Sequence, residues 1–269
     1  MKKLKVILIL LLIILTGLTV ASEVYQRTQL DTTAPALTCD EQVLEVSVEA
    51  EEADLLQGVS AWDNRDGDIT SEIMVDHIST LVTADTARIT YVVFDQAGNT
   101  AKLTRTIRYT DYEAPHFELT KPLRYTVGQT VTVLDRLSAQ DVVDGEITDN
   151  IRMTSQNLNN GMEGIYSVTF QVTNSLGDTA VLPISVIIES SGRLPEIQLR
   201  EYLLYLNQGD DFRPENYLGR TTDGSSAVRP DEVEITSEVD TSTPGVYQVL
   251  YQYTGSNGTG RAILTVVVE

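Results

Sequence analysis

The sequence predicts an all-β chain: three tandem antiparallel β-sandwiches behind an N-terminal hydrophobic helix. Three observations predict it. First, a proline recurs at a fixed interval, as Pro35 in "TAPAL", Pro115 in "EAPHF" and Pro195 in "RLPEI", eighty residues apart each time, and a fixed interval of that kind marks a repeated structural unit. Second, "RITYVVFDQAGNTA" (88–101), "SVTFQVTNSLGDTA" (167–180) and "QVLYQYTGSNGTGRA" (248–262) place a turn rich in Asp, Asn and Gly between two strand-forming runs, the signature of a hairpin. Third, no stretch beyond the N-terminus sustains a helical period, and turn signals recur at sandwich-like spacing.

The segments run in order. Residues 1–22 join the basic "MKKLK" to the apolar run "VILILLLIILTGLTVA" (6–21), the layout of a signal peptide or an N-terminal membrane anchor. Lys2, Lys3 and Lys5 orient the chain beyond Ser22 outward. Thr19-Val20-Ala21 offers a cleavage site, so cleavage and retention both stand. Residues 23–30 read as a linker, then 31–110, 111–190 and 191–269 as the three sandwiches. Short joints stiffened by proline predict a semi-rigid rod.

Composition narrows the function classes. The chain has 39 acidic and 19 basic side chains, and without the three lysines of 1–21 the remainder is 39 against 16, a net charge of −23. Such a surface repels nucleic acid and anionic lipid and attracts cations. The membrane is then reached only through the N-terminal helix. One cysteine, Cys39, excludes an internal disulfide. Trp62, the one tryptophan, is expected to anchor the core of its strand.

The opening half of the unit also repeats: "SAWDNRDGDITSEI" (60–73) matches "SAQDVVDGEITDNI" (138–151). With Asp31, Ala34 and Pro35 before it and Asp95, Gly98 and Asn99 after it, this pattern resembles a bacterial immunoglobulin-like family. That family is found in tandem on exported proteins and in pesticidal crystal proteins, and it is akin to hyalin repeats. The second copy carries Asp111, Ala114, Pro115, Asp141, Asp144 and Gly145 but departs at Glu146, Asn174 and Asp178. The third keeps Pro195, Asp223 and Gly224; aligned on the last two, it has Arg220 at the first Asp and Ser225 in place of Asp68. The resemblance implies an immunoglobulin-like fold and an exported, bacterial, modular setting at the cell surface or in secretion. It implies no activity.

Two readings stand for the acidic loops. Asp63, Asp66, Asp68 and Asp95 in the first copy, and Asp141, Asp144 and Glu146 in the second, supply the hard oxygen donors calcium takes. They converge only if both loops lie at one end of the sandwich. Asp and Gly also build turns on their own. An EF-hand is excluded, because counting from Asp63 puts Arg65 at position 3 and Met74 at position 12. No cofactor other than calcium is suggested.

Catalysis has no motif to rest on. His77 and His116 stand apart from any Ser or Cys motif, and paired carboxylates without a cleft do not make a glycosidase. The prediction is a non-enzymatic spacer or adhesion module. The third copy holds Tyr202, Tyr205, Tyr217, Tyr247, Tyr251 and Tyr253, six of the twelve tyrosines. They read either as core and cross-strand pairs or as a recognition face for a cell-surface protein or glycan. A role as accessory subunit of an exported enzyme is a further alternative.

Overall fold

The structure, a computed structural model, describes the backbone at 2–29, 31–190 and 192–269, and side-chain surroundings at 8–23, 25, 31–190 and 192–269. Met1, Leu30 and Ser191, at the limits of predicted segments, and the side chains of Lys2, Lys3 and Lys5 lie outside the described residues.

Helix α1 spans Lys2–Gln29, and its leucines and isoleucines from Leu8 to Leu18 are all more than half exposed. Among the described residues no helix is long and apolar enough to cross a membrane. The apolar run of 16 residues rises about 24 Å, against a hydrocarbon core of about 30 Å.

Seven strands follow in 36–109: β1 Ala36–Cys39, β2 Val43–Val46, β3 Val59–Asp63, β4 Gly67–Asp68, β5 Met74–Ile78, β6 Thr86–Phe94 and β7 Thr100–Tyr109. They make two sheets, ordered β1-β3-β4 and β2-β7-β6-β5. The core between them includes Val59, Ala61, Ile89, Tyr91, Val93 and Ile107. The same order occurs twice more among the described residues. The second sandwich has β8 His116–Leu119, β9 Arg124–Thr126, β10 Leu137–Asp141, β11 Gly145–Glu146, β12 Arg152–Gln156, β13 Gly164–Thr173 and β14 Thr179–Glu189. The third has β15 Glu196–Leu199, β16 Leu203–Leu206, β17 Leu218–Asp223, β18 Ser226–Val228, β19 Glu234–Ser237, β20 Gly245–Gly255 and β21 Gly258–Val268. The fold is an all-β, immunoglobulin-like multi-sandwich.

The pairing is antiparallel with one exception in each sandwich. After its first strand the chain crosses to the opposite sheet, where its second strand runs parallel to the last one: β2 with β7, β9 with β14, β16 with β21.

Residues Met1–Asp111 form one compact unit and Tyr112–Glu269 another, which holds both later sandwiches. Those two are joined directly. The backbone N–H of Phe117 donates to the Tyr205 hydroxyl at 2.9 Å, and the Ser185 hydroxyl donates to Gln248 Oε1 at 2.7 Å. Leu203, Val246 and Val267 pack against the core of the second sandwich.

Trp62 is not a core anchor. Alternation along β3 turns Val59, Ala61 and Asp63 inward and leaves Ser60 and Trp62 outward, so Trp62 is 62% exposed.

Candidate metal centre

The acidic loop of the first sandwich begins at Asp63, the last residue of β3. The strand's alternation aims this side chain inward, where it is 1% exposed. Its Oδ1 accepts the backbone N–H groups of Arg65 (2.7 Å) and Asp66 (3.0 Å), closing the turn into β4, and Gly67 supplies the positive φ of 74° that the turn needs. The amides of Asp66 and then Arg65 hold the Asp63 carboxyl below the usual carboxylate range, so it is ionised at neutral pH.

The turn after β6 meets it at the same end of the sandwich. Asp66 Oδ2 accepts the N–H of Gln96 at 2.8 Å. Asp95 accepts the Asn99 N–H on Oδ1 and the Asn99 side-chain amide on Oδ2, both at 2.7 Å. The segment before β1 arrives as well: the Asn99 amide donates to the Asp31 carbonyl at 3.2 Å, and Asp31 Oδ1 accepts the Thr33 N–H at 3.0 Å. One carboxylate oxygen from each of Asp31, Asp63 and Asp95 lies within 4.8 Å of the others. Asp31 Oδ2 sits 3.7 Å from Arg65 Nε. Asp63 Oδ2 is buried with no hydrogen-bond partner.

Asp68 does something else. Its Oδ1 caps the Thr70 N–H at 3.0 Å, and the Thr70 hydroxyl accepts the Ala61 N–H at 3.1 Å. The Thr70 bonds hold the Asp68 carboxyl below its ordinary value. Thus Asp68 pins the loop, as the turn reading expects. Asp66 is committed to Gln96, and with Asp68, Glu72 and Asp95 it lines an open groove of about 460 Å³ that reaches Asp95 from solvent.

The second sandwich fills the corresponding space. Asp141 Oδ1 accepts the N–H groups of Val143 and Asp144, both at 2.9 Å, but its Oδ2 accepts the side-chain amide of Asn174 at 3.0 Å. Asn174 stands where the first sandwich has Asp95. The same amide reaches the Tyr112 hydroxyl at 2.9 Å, and that hydroxyl donates to Asp178 Oδ2 at 2.8 Å. Burial first, then the Asp178 carboxylate, push the Tyr112 hydroxyl well above its ordinary pKa. Asp111, the counterpart of Asp31, instead accepts the Ser47 hydroxyl (2.6 Å) and the Val48 N–H (2.8 Å) of the first sandwich. Asp144 is bound to the backbone and hydroxyl of Ser175, and Glu146 is exposed on β11. The structure therefore does not gather Asp141, Asp144 and Glu146 into one ligand set. Asp144 is occupied and Glu146 faces solvent.

In the third sandwich the hairpin is one residue shorter. Asp223 ends β17 as Asp63 ends β3, and pairs with Ser226. This corrects the alignment on Arg220, which lies exposed within β17. Asp223 Oδ2 accepts the Ser256 N–H at 3.3 Å. Gly255 replaces Asp95, and a Cβ there would fall 2.2 Å from Asp223 Oδ2, so the backbone itself closes the space.

The tyrosines of the third sandwich divide between its core, the seam and partly buried positions. Tyr251 is 0% exposed and donates to the Pro214 carbonyl at 2.7 Å, just as Tyr91 donates to the Leu55 carbonyl; burial raises its pKa. Tyr205 belongs to the seam with the second sandwich, its ring edge-on to His116 at 4.5 Å. Tyr247 donates to the Thr243 carbonyl at 2.9 Å. Tyr202 and Tyr253 are half-buried against the third core. Tyr251 is therefore a core residue and not part of a contact surface, and Tyr205 belongs to the seam, while Tyr202, Tyr247 and Tyr253 keep partial exposure. His77 and His116 face Asp76 and Glu269 respectively.

Residues 201–268 match the family described as "Bacterial surface protein, Ig-like domain". That stretch lies in the third sandwich. The chain is 28% identical over 207 residues to the pesticidal crystal protein Cry22Aa of Bacillus thuringiensis, covering 74% of this chain and 28% of that protein. It is 31% identical over 111 residues to an 81.3 kDa protein of Acholeplasma phage L2, covering 39% of this chain and 15% of that protein. The chain thus spans less than a third of either relative. Among solved structures, one with the M60 catalytic domain and the CBM51-1 and CBM51-2 domains of Clostridium perfringens ZmpB overlaps 88% of this chain and 31% of that one, at 11% identity and a TM-score of 0.25. An overlap that loose transfers nothing to this chain.

Proposed function

We propose that the chain is a non-enzymatic module of a bacterial surface protein, exported by its N-terminal segment and serving as a spacer that presents or supports a neighbouring adhesive or catalytic part. The observation that supports this reading best is the seam between the second and third sandwiches. A spacer must transmit position, and here hydrogen bonds through Tyr205 and Ser185 and the packing of Leu203, Val246 and Val267 fasten two sandwiches into one unit. Of the tyrosines that a glycan-binding face would use, Tyr251 is buried in the core and Tyr205 is engaged in that seam. The match of 201–268 to a surface-protein domain supports the same setting.

The test is surface proteolysis of intact cells together with a broad glycan array probed with the full chain. The reading expects the protein to be accessible from outside and silent on the array. Protein confined to the cytoplasmic fraction would refute export. Glycan binding lost on Tyr253→Ala would refute the spacer role in favour of a carbohydrate-binding module.

A further inference from the structure

Three carboxylates meet in the first sandwich with one guanidinium nearby. Asp31, Asp63 and Asp95 carry three negative charges, and Arg65, at 3.7 Å from Asp31, returns one. The remainder matches a divalent cation. Clustered acids alone would not argue a site, but Asp63 Oδ2 does. It belongs to a side chain that is 1% exposed, and it has no partner. Leaving a buried charged acceptor unsatisfied is costly, so something is expected to meet it.

The second sandwich shows which way that oxygen faces. At the equivalent Asp141, Oδ2 points at position 174, the counterpart of Asp95, and an amide hydrogen of Asn174 fills the gap. In the first sandwich the counterpart is an acid and cannot donate. The exchange is reciprocal: the first turn reads Asp95…Asn99 and the second Asn174…Asp178. One arrangement leaves an anionic gap. The other closes it with a hydrogen-bond chain through Tyr112. The third sandwich has neither the second acid nor the room, because Gly255 lies against Asp223.

The geometry points to one calcium ion in the first sandwich, held by Asp31, Asp63 and Asp95, with the equivalent places in the second and third closed to it. All-oxygen donors suit calcium, whose bonds of about 2.3–2.6 Å put opposite ligands about 4.6–5.2 Å apart, wide enough for oxygens up to 4.8 Å apart. The remaining ligands are supplied by water or carbonyl oxygen through the groove at Asp95. Asp31 precedes β1, so the ion fastens the chain leading into the sandwich to the two loops at its end. This inference is separate from the spacer reading and survives its failure.

The test is a calcium titration of the full chain by calorimetry after treatment with chelator. The expected result is one calcium per chain. Asp95→Asn copies the second sandwich's amide into the first and should abolish binding while leaving the calcium-free protein at least as stable as wild type. Asp31→Asn keeps the Thr33 contact and should weaken binding about tenfold or more, since affinity follows ligand charge. Asp68→Asn, which removes only a turn cap, should bind as wild type does. No binding, two or more ions per chain, or binding that persists in Asp95→Asn would each overturn the inference.

Discussion

Tyr205→Phe is the sharpest probe of the seam. The substitution removes one oxygen and keeps the ring, so the edge-on packing against His116 at 4.5 Å remains. What is lost is the acceptor for the Phe117 N–H, 2.9 Å away, beside a side chain 2% exposed. An N–H left unpaired in such a place costs about 1–3 kcal/mol. For a unit of the size of Tyr112–Glu269, each kcal/mol lowers the melting temperature by about 2–4 °C. The transition of this unit should therefore fall by about 2–12 °C, while the first sandwich, followed by Trp62 fluorescence, melts where it did. The Phe117 amide should exchange with solvent at least about fivefold faster. Alkaline pH gives an independent check. Burial first, and the Glu269 carboxylate last, push the Tyr205 hydroxyl up to about 12. The folded state then holds a proton that the unfolded chain releases near pH 10, so this stability is complete below pH 10 and is lost as pH rises toward 12. The variant should lose some of that slope. Unchanged melting, unchanged Phe117 exchange and an unchanged alkaline slope would refute the seam as a source of stability.

Three further outcomes are expected. Asn174→Asp replaces the amide that bridges Asp141 and Tyr112 with a second buried carboxylate; thermal denaturation should show a loss of about 2–4 kcal/mol, partly restored by millimolar calcium, and a neutral effect would refute the amide's role. Gly255→Ala forces a Cβ to within 2.2 Å of Asp223 Oδ2, so urea unfolding should register a loss of about 1–3 kcal/mol. Trp62→Ala removes an outward-facing ring and should change stability by less than about 1 kcal/mol in the same assay; a core-sized loss would restore Trp62 to the interior.

The sandwich fold was legible because its signals are local and repeated. The "DQAGN" turn type and the flanking strand residues need no knowledge of the rest of the chain, and β6–β7 pair across that turn from Phe94 and Thr100 onward. The parallel strand in each sandwich was not legible, since nothing in "QVLEV" says which sheet it joins. The candidate site was half legible. Asp63 and Asp95 stand in motifs that repeat, but their partner Asp31 lies 32 residues before Asp63 and reads only as the start of a proline-led opening. The reciprocal exchange of Asp95 and Asn99 against Asn174 and Asp178 was visible as a departure from pattern; its meaning needed the bond from Asn174 to Asp141. Trp62 was misplaced because composition favours burying a lone tryptophan, whereas the phase of β3 is set by Asp63 facing in. Tyr205 could not be assigned, because its partner, Phe117, is 88 residues away in sequence.

The parallel strand has a mechanical consequence. In each sandwich the second strand lies beside the last strand and runs the same way: Val43–Val46 against Thr106–Tyr109, Arg124–Thr126 against Ile187–Glu189, Leu203–Leu206 against Thr265–Val268. Tension applied through the two ends of a sandwich drags these neighbours past each other lengthwise. Their hydrogen bonds are then loaded together in shear, whereas a hairpin pulled at its open end would unzip bond by bond. Each sandwich carries its own shear clamp, one strand in from where the chain enters it.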